Sequence, residues 1–395
     1  MPNLDLNIAC WDYDRTRPLT DGRVQPEGIN LDITVLRPRE IFPRMLQDQE
    51  FHASEMSLAS YVILKARDQC PFVAIPVMLS KIFRHDCIYV RPDAGINEPA
   101  DLRGKRIGLP QYSSTAGVFI KGLMQHEYGV SPQQMTWFMG GQDTPAPAPL
   151  VPLDLPDDIH LEFIPEDKTL EGMLADGELD ALFATYIPNL FLSGSPTIAR
   201  LFPNFKEVEQ DYYRRTGIFP IMHTVVIRED VHREHPWVAA SLYEAFSQAK
   251  DLAVGGLYDT DALALTLPFL IDHLEESRRI FGSDYWSYGV EYKSYAITAL
   301  FDFKEMPYFA WQGRHKGHRN QAFDTFFANP ETPVLSLTLP LYRFLDYPSA
   351  VRTEARFHLF VGVVGAYVLL AAWLSHVYVG TLLFFCLLYL CSGAL

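Results

Sequence analysis

Short stretches of alternating polarity trade places with helix-like stretches along most of this chain, and that rhythm limits the fold more than any single motif. Leu4, Leu6, Ile8 and Cys10 alternate with Asp5, Asn7 and Ala9, the two-residue period of a strand whose faces differ. After a loop through residues 15–28, Leu31, Ile33 and Val35 repeat the pattern. Residues 40–49 then read as a short helix, 51–54 as a strand and 58–65 as a helix. FVAIPVM (72–78) and IFRHDCIYV (82–90) read as two further strands. Strands and helices at this spacing predict an α/β domain.

A second series begins at Asp101. DLRGKRIGLP places a strand at 105–109, and YSSTAGVFIKGLMQHEYG a helix opened by Ser113, Ser114 and Thr115, residue types favoured at helix N-caps. From Gly140 to Asp158, GGQDTPAPAPLVPLDLPDD is too rich in proline for regular structure and predicts a loop. A strand at 160–164, a helix at 168–177 and a strand at 179–183 follow. FPIMHTVVIRED (219–230) returns to strand character. Pro236 opens a long amphipathic helix that ends at Gly255 and Gly256. No internal repeat is evident, and the weak periodicity of 310–350 suits a linker.

With 395 residues the chain has room for two or three domains. A formal charge of −15 argues against a general nucleic-acid binder. It also requires that an anionic substrate be held by a local positive pocket. The cysteines at 10, 70, 87, 386 and 391 are odd in number and form no CxxC pair, which fits a reduced intracellular setting. MPNLDLNIACWDYD lacks the basic and apolar regions of a secretory signal, so the expected location is the cytoplasm.

Residues 357–395 contain no Asp, Glu, Lys or Arg. A spanning helix needs about 20 apolar residues, so this tail predicts one long anchor or a hairpin of two helices turning near Ser375 and His376. Arg352 and Arg356 precede it and would keep the domain before them on the cytosolic side. A tail that docks on a partner is the competing expectation.

DLRGKRIGLP and, later, LADGELDALF resemble the type II periplasmic-binding-protein fold. YDRTRPLTDGRVQPEGINL, EMSLASY, FRHDCIYV, YYRRTGIFPIMH and HPWVAASLYEAFSQAKDLA resemble, in that order, the 4,5-dihydroxyphthalate decarboxylase family. The resemblance runs from about Leu4 to about Glu291. It implies two α/β lobes with a ligand cleft between them and a hinge of two crossover strands. Residues 1–85 and 222–309 would form the first lobe and 86–221 the second, followed by the linker 310–350 and the hydrophobic helical tail 351–395. Two departures from the family pattern stand out. The proline-rich loop replaces a basic segment after Gly140 and Gly141, and Tyr292 and Lys293 stand where the family has Asn-Arg.

The activity implied is cofactor-independent decarboxylation of a hydroxylated aromatic carboxylate or dicarboxylate. An acid protonates the ring carbon that bears the leaving group, and a ring hydroxyl supplies the electrons. Histidine is the usual donor near neutral pH, and arginine suits the carboxylates because its planar fork binds them in bidentate fashion. His85 and His223 fall at the two predicted crossovers and are the candidate proton donors. Glu55, after a predicted strand, would accept a phenol proton or cap a helix. Candidate substrate contacts are Tyr13, Arg15, Ser54, Arg84 and Tyr186, together with Ser113, Ser114 and Thr115 at a helix N-terminus, where free N–H groups favour an anion. Arg84 and His85 are neighbours, so a regular strand cannot aim both into one cleft.

His232 and His235, like His315 and His318, sit three apart without a carboxylate or cysteine set. They suit solvated loops better than a metal site, although scattered ligands leave a divalent ion open. GxGxxG, GxxxxGK[ST] and GxSxG are absent, so nucleotide and acyl-serine chemistry lack support. A non-catalytic solute-binding protein for a small anion is the alternative function. A thiamine-pyrimidine synthase on the same fold would need a cysteine-rich motif that this chain lacks.

Overall fold

The computed structural model describes residues 3–144, 151–153 and 155–288. The linker and apolar tail expected at 310–395 lie outside them, as do Cys386 and Cys391. Among the described residues no helix is long and apolar enough to cross a membrane.

The chain first lays down β1 (Leu4–Cys10), β2 (Ile29–Val35), β3 (Ala53–Ser57) and β4 (Phe72–Lys81). It then builds a second sheet from β5 (Ile88–Val90), β6 (Arg106–Leu109), β7 (Thr136–Met139), β8 (His160–Phe163), β9 (Ala181–Phe183) and β10 (Ala199–Arg200). Finally it returns to the first sheet as β11 (Ile221–Arg228). The first sheet has the order β2-β1-β3-β11-β4 and the second β10-β5-β9-β6-β7-β8. β1 runs parallel to β2 and β3, while β11 runs antiparallel to both β3 and β4. Two such mixed α/β sheets are typical of the type II periplasmic-binding-protein fold.

Alternation along β1 decides which residues meet which layer. Leu6, Ile8 and Cys10 join Val225, Ile227, Leu242 and Phe246 under the helix Val238–Gly256. Ala9 faces the other way, into a core with Ile41, Met45, Tyr61 and Val62 from the helices Pro38–Asp48 and Leu58–Ala66. The first of these two helices begins cleanly because Pro38 needs no N–H partner there. Glu40 also reaches back to accept the Arg37 N–H at 3.1 Å. In the second sheet Trp137, Ile107 and Leu109 pack beneath Ile120, Leu123 and Met124 of the helix Thr115–Tyr128. That helix stops at Gly129, whose φ of 66° is the left-handed turn that glycine adopts without strain.

The second sheet and its helices do not stand free of the first. Ala116, Phe119 and Val151 share one apolar core with Ile41, Phe42 and Tyr61. Thr115 Oγ1 lies 3.1 Å from Ser57 Oγ and accepts the Ala59 N–H at 3.0 Å. Elsewhere, Glu276 of the helix Leu270–Phe281 pairs with Lys206 at 2.7 Å. In the same region Phe281 stacks with Phe83 at 6.0 Å and with Phe219 at 5.3 Å between ring centroids.

One expected strand is corrected. Residues 82–90 do not form a single strand: β4 runs on to Lys81, His85–Cys87 make a 3₁₀ turn, and only Ile88–Val90 are extended. The cause is a carboxylate from far along the chain. Glu209, on the helix Phe205–Thr216, accepts the backbone N–H of His85 at 3.1 Å and of Asp86 at 3.3 Å. Donors that a sheet ladder would otherwise have to satisfy are met by a side chain.

Candidate active site

The site grows from one residue that should not be easy to bury. Every residue of β3 is buried, and Glu55 within it is 0% exposed. An isolated carboxylate there would cost several kcal/mol, of order 2 to 7 even for a neutral polar group left unpaired, so its partners define the neighbourhood. Both neighbouring strands supply them. From the turn after β1, the Trp11 N–H donates to Oε2 at 3.1 Å and the Tyr13 hydroxyl donates to Oε1 at 2.6 Å. From β11, His223 Nδ1 meets the same Oε1 at 2.6 Å.

Strand register explains how a histidine so distant in sequence arrives there. β11 pairs Val225 with Glu55 and His223 with Ser57, so His223 is the diagonal neighbour of Glu55 on one face. Its pairing with β4 shifts between Ile221 and His223 and again between His223 and Val225. Irregularities of this kind re-aim a side chain.

Burial alone would raise the Glu55 carboxyl. The hydrogen bond and charge of His223, then the hydrogen bonds from Tyr13 and Trp11, outweigh it and hold the group below the usual carboxylate range. The Tyr13 phenol is pushed up by burial first and then by the Glu55 charge beside it. Burial, reinforced by Glu55, also drives the Cys10 thiol up to about 12, which leaves it inert as a nucleophile.

His223 keeps 19% of its side chain exposed, with the edge of Phe42 at 5.0 Å between centroids. With Nδ1 held on a carboxylate, Nε2 is the ring atom left to give or take a proton. The arrangement is a carboxylate–imidazole pair, suited to general acid–base work.

The other residues singled out in sequence have partners and roles of their own. Arg15 donates through Nε to the Leu79 carbonyl at 2.7 Å and through Nη1 to Asp14 at 3.0 Å. Its guanidinium lies 4.0 Å from the Tyr13 ring centroid and 4.5 Å from that of Trp286. Arg84 is buried and donates to Met222 Sδ at 3.2 Å, to Cys87 Sγ at 3.5 Å and to the Thr185 carbonyl at 3.2 Å. Among the described residues it makes no ion pair. Ser54 Oγ donates to the neighbouring Glu55 carbonyl at 3.0 Å. Ser114 caps its helix by accepting the Gly117 N–H at 3.1 Å, Thr115 is bonded to Ser57 and Ala59 as described, and Ser113 is buried. Tyr186 donates its hydroxyl to Asp143 at 2.6 Å.

His85 is not brought to this cluster. It is 1% exposed among Tyr128, Phe202 and Tyr212, and among the described residues neither ring nitrogen has a hydrogen-bond partner, Nδ1 lying 3.9 Å from Glu209 Oε1. Burial first, and then the charge of Arg215, push its pKa down to about 4.

Sequence reading missed Gln142 and Asp143. Gln142 is buried, accepts the Thr185 N–H at 3.2 Å and donates to the Tyr186 carbonyl at 3.0 Å. Asp143 takes Tyr186 and Asn189 and also feels the charge of Arg39. Their only sequence signal is two polar residues directly after Gly140 and Gly141. Among the described residues no group of three or more His, Cys, Asp or Glu is placed to hold a metal ion.

Residues 27–147 match a family described as ABC transporter, phosphonate, periplasmic substrate-binding protein. The 4,5-dihydroxyphthalate decarboxylase of Comamonas testosteroni is 40% identical over 297 residues, 75% of this chain and 90% of that protein. The enzyme of the same name from Pseudomonas putida is 39% identical over 214 residues, 54% of this chain and 83% of that one. Among solved structures, the periplasmic aliphatic sulphonate binding protein of Escherichia coli aligns with a TM-score of 0.37 and 12% identity. That alignment covers 83% of this chain and 88% of that one. A protein of Archaeoglobus fulgidus aligns with a TM-score of 0.41 and 15% identity over 79% of this chain and 98% of its own.

Proposed function

The chain belongs to the 4,5-dihydroxyphthalate decarboxylase family, and from that premise we propose that it removes CO2 from a hydroxylated aromatic carboxylate with His223 as the proton donor. The observation that carries this reading is the Glu55–His223 pair, a buried carboxylate 2.6 Å from the Nδ1 of a partly open imidazole. Glu55 fixes the tautomer and stabilises the imidazolium, so the Nε2 proton points away from the protein's own carboxylate.

The step balances without an added oxidant or reductant. The Nε2 proton moves to the ring carbon that carries the carboxylate, while the hydroxyl para to it feeds electrons into the ring. The bond to the carboxylate then breaks, its electron pair restores aromaticity, CO2 departs and His223 is left neutral. A solvent proton returns it to the starting state. In a 4,5-dihydroxyphthalate each carboxylate has a hydroxyl para to it, so the ring itself is the electron source and no organic cofactor is invoked. A positioned general acid contributes about 10²–10⁴-fold.

Of the two arginines expected to hold carboxylates, Arg84 is the better supported. Arg15 already donates to Leu79 and Asp14, whereas Arg84 bonds only two sulfurs and a carbonyl among the described residues. A buried guanidinium with no ion pair among the described residues favours an anionic ligand. His223 is preferred to His85 as the acid because burial keeps His85 neutral.

A non-catalytic binding protein for a small anion is the second reading, favoured by the family match over residues 27–147. Incubating the full-length protein with a panel of dihydroxyphthalate-like acids and measuring CO2 separates the two. Turnover that is lost in His223→Ala while binding persists is the expected result. Binding across the panel without CO2 release would overturn the decarboxylase reading.

A further inference from the structure

We propose that Tyr13 is a positioning residue: its hydroxyl shares a single oxygen of Glu55 with His223 and thereby sets how readily His223 gives up its proton. The proposal deepens the decarboxylase reading and rests on it only for what receives that proton.

The two oxygens of Glu55 are loaded unequally. Oε1 accepts the Tyr13 hydroxyl at 2.6 Å and faces His223 Nδ1 at 2.6 Å, while Oε2 accepts the Trp11 N–H at 3.1 Å. A carboxylate oxygen has two lone-pair sites, so both sites on Oε1 are used, each by a short, charge-assisted bond. Whatever negative charge the phenol draws toward itself is withdrawn from the atom that stabilises the imidazolium. The phenol therefore competes with His223 for the same oxygen and keeps Glu55 from claiming the Nδ1 proton.

Tyr13 is held in that task. Its N–H donates to Thr16 Oγ1 at 3.0 Å, and its carbonyl accepts the N–H of Thr16 at 3.0 Å and of Arg17 at 2.9 Å. One face of its ring is covered by the Arg15 guanidinium at 4.0 Å. With its hydroxyl on Glu55 and its ring under Arg15, it is placed to act through His223 rather than on a substrate.

Among the described residues, the charged and titratable groups around the trio come from three places. The turn after β1 contributes Asp12, Asp14 and Arg15, and β1 itself contributes Cys10. Tyr288 approaches from the far end of the described chain, and the helix Pro38–Asp48 presents the Phe42 ring to His223. Burial keeps Cys10 and Tyr288 neutral. Arg15 faces the Tyr13 ring while its Nη1 is bonded to Asp14.

The test is a Tyr13→Phe exchange in the full chain, with the His223 imidazole followed by NMR through a pH titration and with kcat and KM measured across the same range. Removing the hydroxyl should move the His223 midpoint up by about one pH unit, the scale of one lost hydrogen bond to a charged group. The alkaline limb of the kcat profile should move with it, while KM changes little. Ring-fluorinated tyrosine at position 13 keeps the bond with a stronger donor, so the midpoint should move down. That second substitution covers the case in which Tyr13→Phe fails to fold. A midpoint that stays put in the fluorinated protein, or a loss of kcat equal at every pH, would overturn the proposal. The NMR arm decides the role of Tyr13 even if no acid in the panel is decarboxylated, so the two readings fail separately.

Discussion

Exchanging His223 for alanine should invert the way stability depends on pH through Glu55. In the intact protein the Glu55 carboxyl lies below its ordinary value despite complete burial, because His223, Tyr13 and Trp11 together outweigh the desolvation. A depressed folded-state pKa contributes stability above the unfolded value of about 4.3, and that contribution is lost as pH falls through the folded value. Without His223 the largest opposing partner is gone while the burial remains, so the folded carboxyl rises above about 4.3. Its contribution is then fully present below that value and lost as pH rises through the new folded pKa.

The size follows from what stays bound. Breaking a buried pair costs about 3–5 kcal/mol, but Tyr13 and Trp11 still donate to Glu55, which reduces the loss to about 2–3 kcal/mol. The clean comparison is His223→Ala against His223→Ala combined with Glu55→Gln, by urea unfolding followed through far-UV circular dichroism. Near neutral pH the single variant should be the less stable by about 2 kcal/mol, and the gap should close in acid, where Glu55 is protonated. A gap that is constant across pH, or one that widens in acid, would refute the reasoning that His223 is what keeps Glu55 ionised.

Three further outcomes follow from the same geometry. Thr115→Val leaves the Ala59 N–H without its acceptor and should cost about 1–3 kcal/mol, read as a lower unfolding midpoint and faster amide exchange at Ala59. Arg84→Met removes a buried charge that has no ion pair among the described residues, so stability should hold or rise; KM for a dicarboxylate should rise by about tenfold or more, the scale of one lost charge-assisted hydrogen bond. Cys10, with its thiol at about 12, should resist alkylation in the folded protein near pH 8 and react at once in denaturant, as counted by mass spectrometry.

What could be read from sequence was whatever a short window decides. The alternation of Leu4, Leu6, Ile8 and Cys10 and the capping of the helix Thr115–Tyr128 by Ser114 need no knowledge of distant neighbours, and both stand in the structure. The turn at His85–Cys87 was hidden, because its strand-like composition is overruled by Glu209, 124 residues away from His85. The same limit applies to the site. His85 and His223 look alike in sequence, each within apolar residues at a crossover. Only the insertion of β11 beside β3, which brings partners 168 residues apart onto one hydrogen bond, tells them apart. Tyr13 and Thr115 show the reverse case: residues marked out by type as ligand contacts spend their hydroxyls on the protein itself.

The fastening of the lobes bears on where binding energy can go. A two-lobed receptor reports its ligand as rotation about the hinge. Here rotation would have to part Ala116 and Phe119 from Ile41, Phe42 and Tyr61 and open the Ser57–Thr115–Ala59 contact. It would also have to shear Phe281 across Phe83 and Phe219, which lie on the crossing segments themselves. Each square ångström of apolar surface so exposed costs about 25 cal/mol, a tax that grows with the angle. On the decarboxylase reading proposed above, the contacts a ligand makes there would not be converted into a large signal of movement. They would remain at the point of contact, where they would hold a ring against His223.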